Sequence, residues 1–206
     1  MTCEAQPRPV NPSAGLPKKA DEQMPEAQVV ATALRLLASI FQREADRPLL
    51  EYIKAHRQEL LTSFGLDPLE GLDGYDLDEA VDALAAEYCR IFVGPVGHLP
   101  PVESVVLGEG RFWGPSTETV VNFYVTRGIS LPEGSGLLPD HLSVELDCLA
   151  ILEERGHHQD AKAFAGEHPL RWLTDLIAHV KARATSAFYP AFIEAAQGLL
   201  TARYGG

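Results

Sequence analysis

Apolar residues recur at three- and four-residue steps along most of this chain, the spacing of helices that each bury one stripe. Val30, Ala33, Leu34, Leu37, Ile40 and Phe41 mark a first helix, from Pro25 to about Asp46. Pro48, suited to a first helical turn, leads Leu49, Ile53, Leu60, Leu61 and Phe64 into a second helix that Gly65 can stop. After Gly71 and Gly74, Asp76 with Glu79 three residues on reads as a capping box. It starts a third helix through Leu77, Val81, Leu84, Tyr88, Ile91 and Phe92, closed by Gly94 and Pro95. Ser116 is placed to cap a fourth through Val120, Phe123 and Tyr124, up to Gly128. Pro139 and Asp140 open a fifth, with Leu142, Leu146, Leu149, Ala150 and Leu152 on its stripe and Asp147, Glu153 and Glu154 off it. Two more run from Pro169 towards Phe188 and from about Pro190 to Leu200, with Trp172 and Phe188 as core residues. A short helical turn is expected around Ala161 to Phe164.

Two loops interrupt this pattern. Residues 94–115 are rich in Gly and Pro, yet Val102, Val105, Val106, Leu107, Phe112 and Trp113 give the segment enough apolar surface to pack, and packed long loops are commonly functional. Its Val102–Leu107 run is the one candidate strand. The second loop, LPEGSGLLPD, leads into the fifth helix. With no repeat at solenoid periods, the fold class that follows is all-α, a single irregular helical bundle over residues 25–206. Residues 1–24, with Pro7, Pro9, Pro12 and Pro17 and few large apolar side chains, read as a flexible tail.

Charge narrows the partners. Lys and Arg number 17 against 29 Asp and Glu, a net charge of −12 that repels nucleic acid and attracts cationic segments. Cys3, Cys89 and Cys148 are too few and too widely spaced for a disulfide framework or a CxxC zinc site, which suits a reducing compartment. The proline-broken N-terminus lacks the apolar region of a secretory signal. No apolar run reaches the ~20 residues of a membrane span, so a cytoplasmic protein is expected, without membrane insertion.

Catalytic signatures are missing from the sequence: no GxSxG elbow, no GxxxxGK[ST] phosphate loop, no HExxH zinc helix. The Gly108-Glu-Gly110 pair lacks the third glycine of a dinucleotide loop, and His141 with Glu145, four apart on a helix, supplies only two metal ligands. Neither a metal nor a cofactor is expected. What stands out is a constellation. Tyr88, Ile91 and Phe92 end one helix, Pro101, Glu103 and Ser104 sit in the following loop, and Asp140 and His141 open another helix. Were the loops neighbours, they would form an apolar groove rimmed by Glu103, Asp140 and His141, suited to an apolar peptide that carries basic residues. The bland alternative is that Asp140 only caps its helix and Tyr88 and Phe92 are plain core.

Three blocks, EYCRIFVGP (Glu87 to Pro95), PPVESV (Pro100 to Val105) and LPDHLSVEL (Leu138 to Leu146), resemble the TorD/DmsD/NarJ-type chaperone family. Tyr124 to Gly128, Trp172 and Phe188 to Pro190 resemble it too, and the likeness covers about residues 28–203. The resemblance implies an all-helical, cytoplasmic, non-catalytic chaperone. Its partner would be the apo catalytic subunit of a molybdopterin-dependent oxidoreductase of the dimethyl-sulfoxide-reductase type, held through its twin-arginine signal peptide or N-terminus until the cofactor is inserted. Asp140 and His141 match the family's DH pair, Tyr88, Ile91 and Phe92 its apolar groove positions, and Pro101, Glu103 and Ser104 the adjoining loop. Val102 departs from the aromatic residue common there and would leave a shallower wall. A monomer or a helix-swapped dimer is compatible with one chain. The competing readings are an assembly subunit retained by its redox enzyme and a metal- or nucleotide-dependent hydrolase.

Overall fold

In the computed structural model, which describes residues 26–65, 67–110, 113–130 and 136–205, one helix is surrounded by the others. It is α7 (Leu142–Glu154), buried on almost every side, including at Ser143, Glu145 and Glu153. Along it lies α1 (Glu26–Gln42), whose Val30, Ala31, Leu34, Leu37, Ile40 and Phe41 face inwards. Arg35 ties the pair at their surface, 2.9 Å from Glu154 and 3.7 Å from Asp147.

The remaining elements are α2 (Arg47–Ala55), α3 (Arg57–Phe64), α4 (Leu77–Tyr88) continued by a π turn (Cys89–Val93), α5 (Glu103–Val106), α6 (Pro115–Thr126), α8 (His158–Glu167), α9 (Pro169–Arg183) and α10 (Phe188–Tyr204). Helix α10 packs on α1, α8 and α9, α2 on α4, and the short α5 on α6 and α9. The bundle is all-α. Among the described residues the only β-type pairing is one isolated bridge, Val102 to His141. No helix among them is long and apolar enough to cross a membrane. The expected tail, Phe112 and part of the second loop lie outside the described residues.

Several expectations hold in detail. Asp76 and Glu79 make a reciprocal capping box, with Glu79 N–H donating to Asp76 at 2.9 Å and Asp76 N–H to Glu79 at 3.0 Å. Trp172 and Phe188 are fully buried. Others are corrected. The second helix is two, because His56 leaves helical geometry (φ −108°, ψ 13°) while stacking on Tyr52 at 4.1 Å. The candidate strand is α5. Gly114 rather than Ser116 caps α6, with Pro115 at its first position and Glu109 accepting from Ser116 N–H at 3.2 Å. The turn near Ala161 is a full helix, α8. Trp113 is 56% exposed instead of packed. Glu153, expected off the buried stripe of α7, is 1% exposed, because the C-terminal end of α10 closes over it with Arg203 and Tyr204.

Candidate functional site

The two loops do meet. Glu103 N–H donates to Asp140 O at 2.9 Å and Leu142 N–H to Pro101 O at 2.8 Å. The junction exists to satisfy backbone groups at two helix starts that sit inside the protein, where an unpaired N–H is costly. Asp140 Oδ2 accepts from Ser104 N–H at 3.0 Å, so it caps α5 across the junction. Its own helix is capped by His141, whose Nδ1 accepts from Ser143 N–H at 3.2 Å. An accepting Nδ1 puts the ring proton on Nε2. Burial holds the imidazole down to about 4, against the pull of Asp140.

Burial decides how the eight sequence-singled residues are used. Pro101 is buried, Glu103, Ser104, Asp140 and Ile91 are wholly inside, and Phe92, Tyr88 and His141 expose 2%, 6% and 6%. The expected rim of Glu103, Asp140 and His141 is therefore corrected: these side chains face inwards because the helix starts they serve are internal. Tyr88 and Phe92 belong to an aromatic stack, their rings 5.0 Å apart and 5.8 and 5.7 Å from Tyr189. Tyr88 donates to Phe41 O at 3.1 Å. The stack continues through Phe188 and Phe192 to Phe64, whose centroid is 6.3 Å from that of Phe192.

Phe64 opens on the surface feature that sequence reading missed. A groove of about 660 Å³ runs between α1, α2, α3 and α10, walled by Val29, Ala33, Leu36, Phe64 and Leu199, with Glu59, Glu194 and His56 among its polar groups. Val29 and Tyr52 expose 51% and 46% of their surface there. Val29, Ala33 and Leu36 follow the helical period of α1, but that period does not show which apolar positions stay open, so the wall emerges only where α1, α3 and α10 come together.

Behind the junction lies a group of acids. Glu103 Oε2 is 2.9 Å from His168 Nδ1, and Glu103 Oε1 is 3.6 Å from Arg171. Ligand atoms of Glu103, Glu145 and His168 all lie within 4.8 Å of one another. Burial first, then negative Glu103 and Asp140, push the Glu145 carboxyl well above the usual carboxylate range. His141, which shares a face with Glu145 in the sequence pattern, bonds Ser143 instead, and Glu145 faces residues from α5 and α9. Over His168 and Arg171 opens a surface pocket of about 350 Å³.

Comparison with known proteins agrees with this architecture. The family profile described as nitrate reductase delta subunit matches residues 55–178. The "Chaperone protein TorD" of Shewanella pealeana is 25% identical over 189 residues, spanning 82% of this chain and 86% of that protein. A crystal structure described as a redox enzyme maturation protein from Archaeoglobus fulgidus shares the fold, with a TM-score of 0.53, 22% identity, and coverage of 86% of this chain and 95% of that one. The matched stretch takes in the π turn, the loop junction, α7 and most of α9, and so all three sequence blocks. The chain belongs to the nitrate reductase delta subunit family of TorD/NarJ-type proteins, a family of chaperones and not of enzymes.

Proposed function

We propose that this chain is a cytoplasmic maturation chaperone that receives the twin-arginine signal peptide or N-terminus of an apo molybdopterin-dependent oxidoreductase and holds it for cofactor insertion before export or assembly. The observation that carries this reading is the open groove between α1, α2, α3 and α10, an apolar trough on a chain of net charge −12. A segment with arginines at one end and an apolar stretch beyond fits both features. The apolar stretch buries against Val29, Ala33, Leu36 and Leu199 for roughly 25 cal/mol per Å² removed from water, and the arginines meet Glu59 and Glu194 as forked partners. Tyr88 and Phe92 support the groove from behind through the aromatic stack that ends in Phe64, and Ile91 is buried in the same core. Pro101, Glu103, Ser104, Asp140 and His141 belong to the junction that fixes the starts of α5 and α7, and α7 in turn backs α1.

The test is calorimetric titration of the full chain with synthetic N-terminal peptides of molybdenum enzymes from the same source, at two salt concentrations. One peptide binds selectively, weakens when its arginines become alanines, and loses at least about tenfold in affinity against Leu199→Lys. A panel with no binder refutes the reading. Unchanged binding to Leu199→Lys, with binding lost in a folded Asp140→Ala protein, would move the site from the groove to the junction.

A further inference from the structure

Helix α7 carries two buried glutamates that fare very differently. Glu153 accepts from Arg203 Nε and Nη2, each at 3.0 Å, and from the Tyr204 hydroxyl at 2.8 Å, with His158 at 3.1 Å. Glu145 is 0% exposed, and neither of its oxygens makes a hydrogen bond of normal geometry. Beside it, Asp140 Oδ1 and Glu103 Oε1, the latter 3.6 Å from Arg171, lack one as well, and the Trp172 indole N–H, the donor next to Glu145, stands outside normal bonding geometry. Native interiors rarely leave so many polar atoms unmatched in one place, and each asks for a missing partner. Only a donor or a cation answers carboxylate oxygens.

We propose that Glu103, Glu145 and His168 form a three-ligand site for a divalent transition-metal ion, Zn²⁺ foremost, beneath the pocket formed by Thr119, Gly166, Glu167, His168 and Arg171. The donor set is one imidazole nitrogen from His168, the cap between α8 and α9, and two carboxylates from α5 and α7, a mixture that suits Zn²⁺ or Mn²⁺ better than Mg²⁺ or Ca²⁺. Ligand bonds to zinc of about 2.0–2.2 Å place tetrahedral donors roughly 3.5 Å apart. The 4.8 Å span therefore closes with side-chain shifts of ordinary size. A dication displaces the Glu145 proton and offsets the charge of the neighbouring Glu103 and Asp140, which a lone imidazole does not. The entry route is the pocket, where the Arg171 side chain is 53% exposed and lies between Glu103 and the Glu167 carbonyl. The site joins α5, α7 and α9, so an occupied site would fasten the loop junction to α9.

The experiment is titration of metal-stripped full-length protein with Zn²⁺ and with Co²⁺. One equivalent of each binds, the cobalt complex shows visible d–d absorption of a low-coordinate N,O site, and zinc raises the melting temperature. Glu145→Gln, which keeps shape and fold, lowers zinc affinity by more than the roughly 10–100-fold that loss of an outer-shell partner costs. His158→Ala, which removes the surface imidazole beside Glu153, leaves the affinity unchanged and so excludes that pair as the binder. Absence of stoichiometric binding in the wild type overturns the proposal. So does equal affinity in Glu145→Gln, and a shared proton between the two glutamates would then be the partner their oxygens require.

Discussion

The loop junction and the groove invert the usual division of polar and apolar side chains. At the junction Glu103, Ser104, Asp140 and His141 are inside, with Asp140 and His141 spent on the backbone N–H groups of Ser104 and Ser143 and Glu103 on His168. In the groove Val29 and Tyr52 are half exposed, with the Tyr52 ring stacked on His56. Buried polar groups set geometry, because each has few acceptable partners and is expensive without them. Exposed apolar walls set affinity, because burial energy depends on area rather than on direction. The residues that stand out most in the sequence are accordingly the frame of the molecule, and the open apolar wall is built from ordinary helix positions such as Ala33 and Leu199.

The sharpest way to break this contrast is within the polar class itself. Glu153→Ala strips Arg203 and Tyr204 of a buried acceptor and is expected to cost about 3–5 kcal/mol in denaturant unfolding. Glu145→Gln in metal-free protein, which removes a carboxyl that burial already disfavours, should stay within about 1 kcal/mol of wild type or gain stability. Equal losses would mean that Glu145 is as well partnered as Glu153.

Next in size comes pH. His141 is held at about 4 in the fold, below its usual value near 6.5, so the unfolded chain takes up the proton first as pH falls. Its contribution is fully present above about 6.5 and is lost as pH drops towards 4, a swing of about 3 kcal/mol. His141→Asn keeps a capping side chain without an imidazole to titrate, and its stability profile between those values should be flatter. An unchanged slope would show that His141 does not titrate in that window.

The smallest effects separate frame from surface. Asp140→Ala leaves Ser104 N–H without its acceptor and should cost about 1–2 kcal/mol. Leu199→Lys, half-buried on the groove wall, should shift stability by less than about 1 kcal/mol while impairing peptide capture. A large loss in the second variant would make the groove wall a structural surface and erase the distinction.

Much of the bundle was legible from local pattern. The stripe of α1, the capping box of α4, the buried Trp172 and the Gly65 stop, at φ 70°, all depend on neighbours within a turn or two. What local pattern misread shares one cause. The break at His56 lies inside an apolar repeat that continues across it, with no Gly or Pro to mark it. Ser116 looked like a cap, but Glu109, seven residues earlier, reaches the N–H groups of α6 from outside. The π turn, which leaves Ile91 O to accept from both Leu99 N–H (2.9 Å) and His179 Nε2 (3.1 Å), depends on a partner 88 residues away.

The site follows the same line. Sequence by itself determined that the chain is helical and acidic and which family the three blocks resemble, and it singled out Tyr88, Phe92, Asp140 and His141, because helical period, charge and short motifs are carried by the chain in order. Tertiary structure alone decided that Asp140 caps a different helix from the one it precedes, that Glu145 meets Glu103 and His168 rather than His141, and that the open apolar wall lies on α1 and α10. Solvent exposure and polar partnership are relations between distant segments, and a side chain's chemistry does not reveal which segment will stand opposite it until the core has closed.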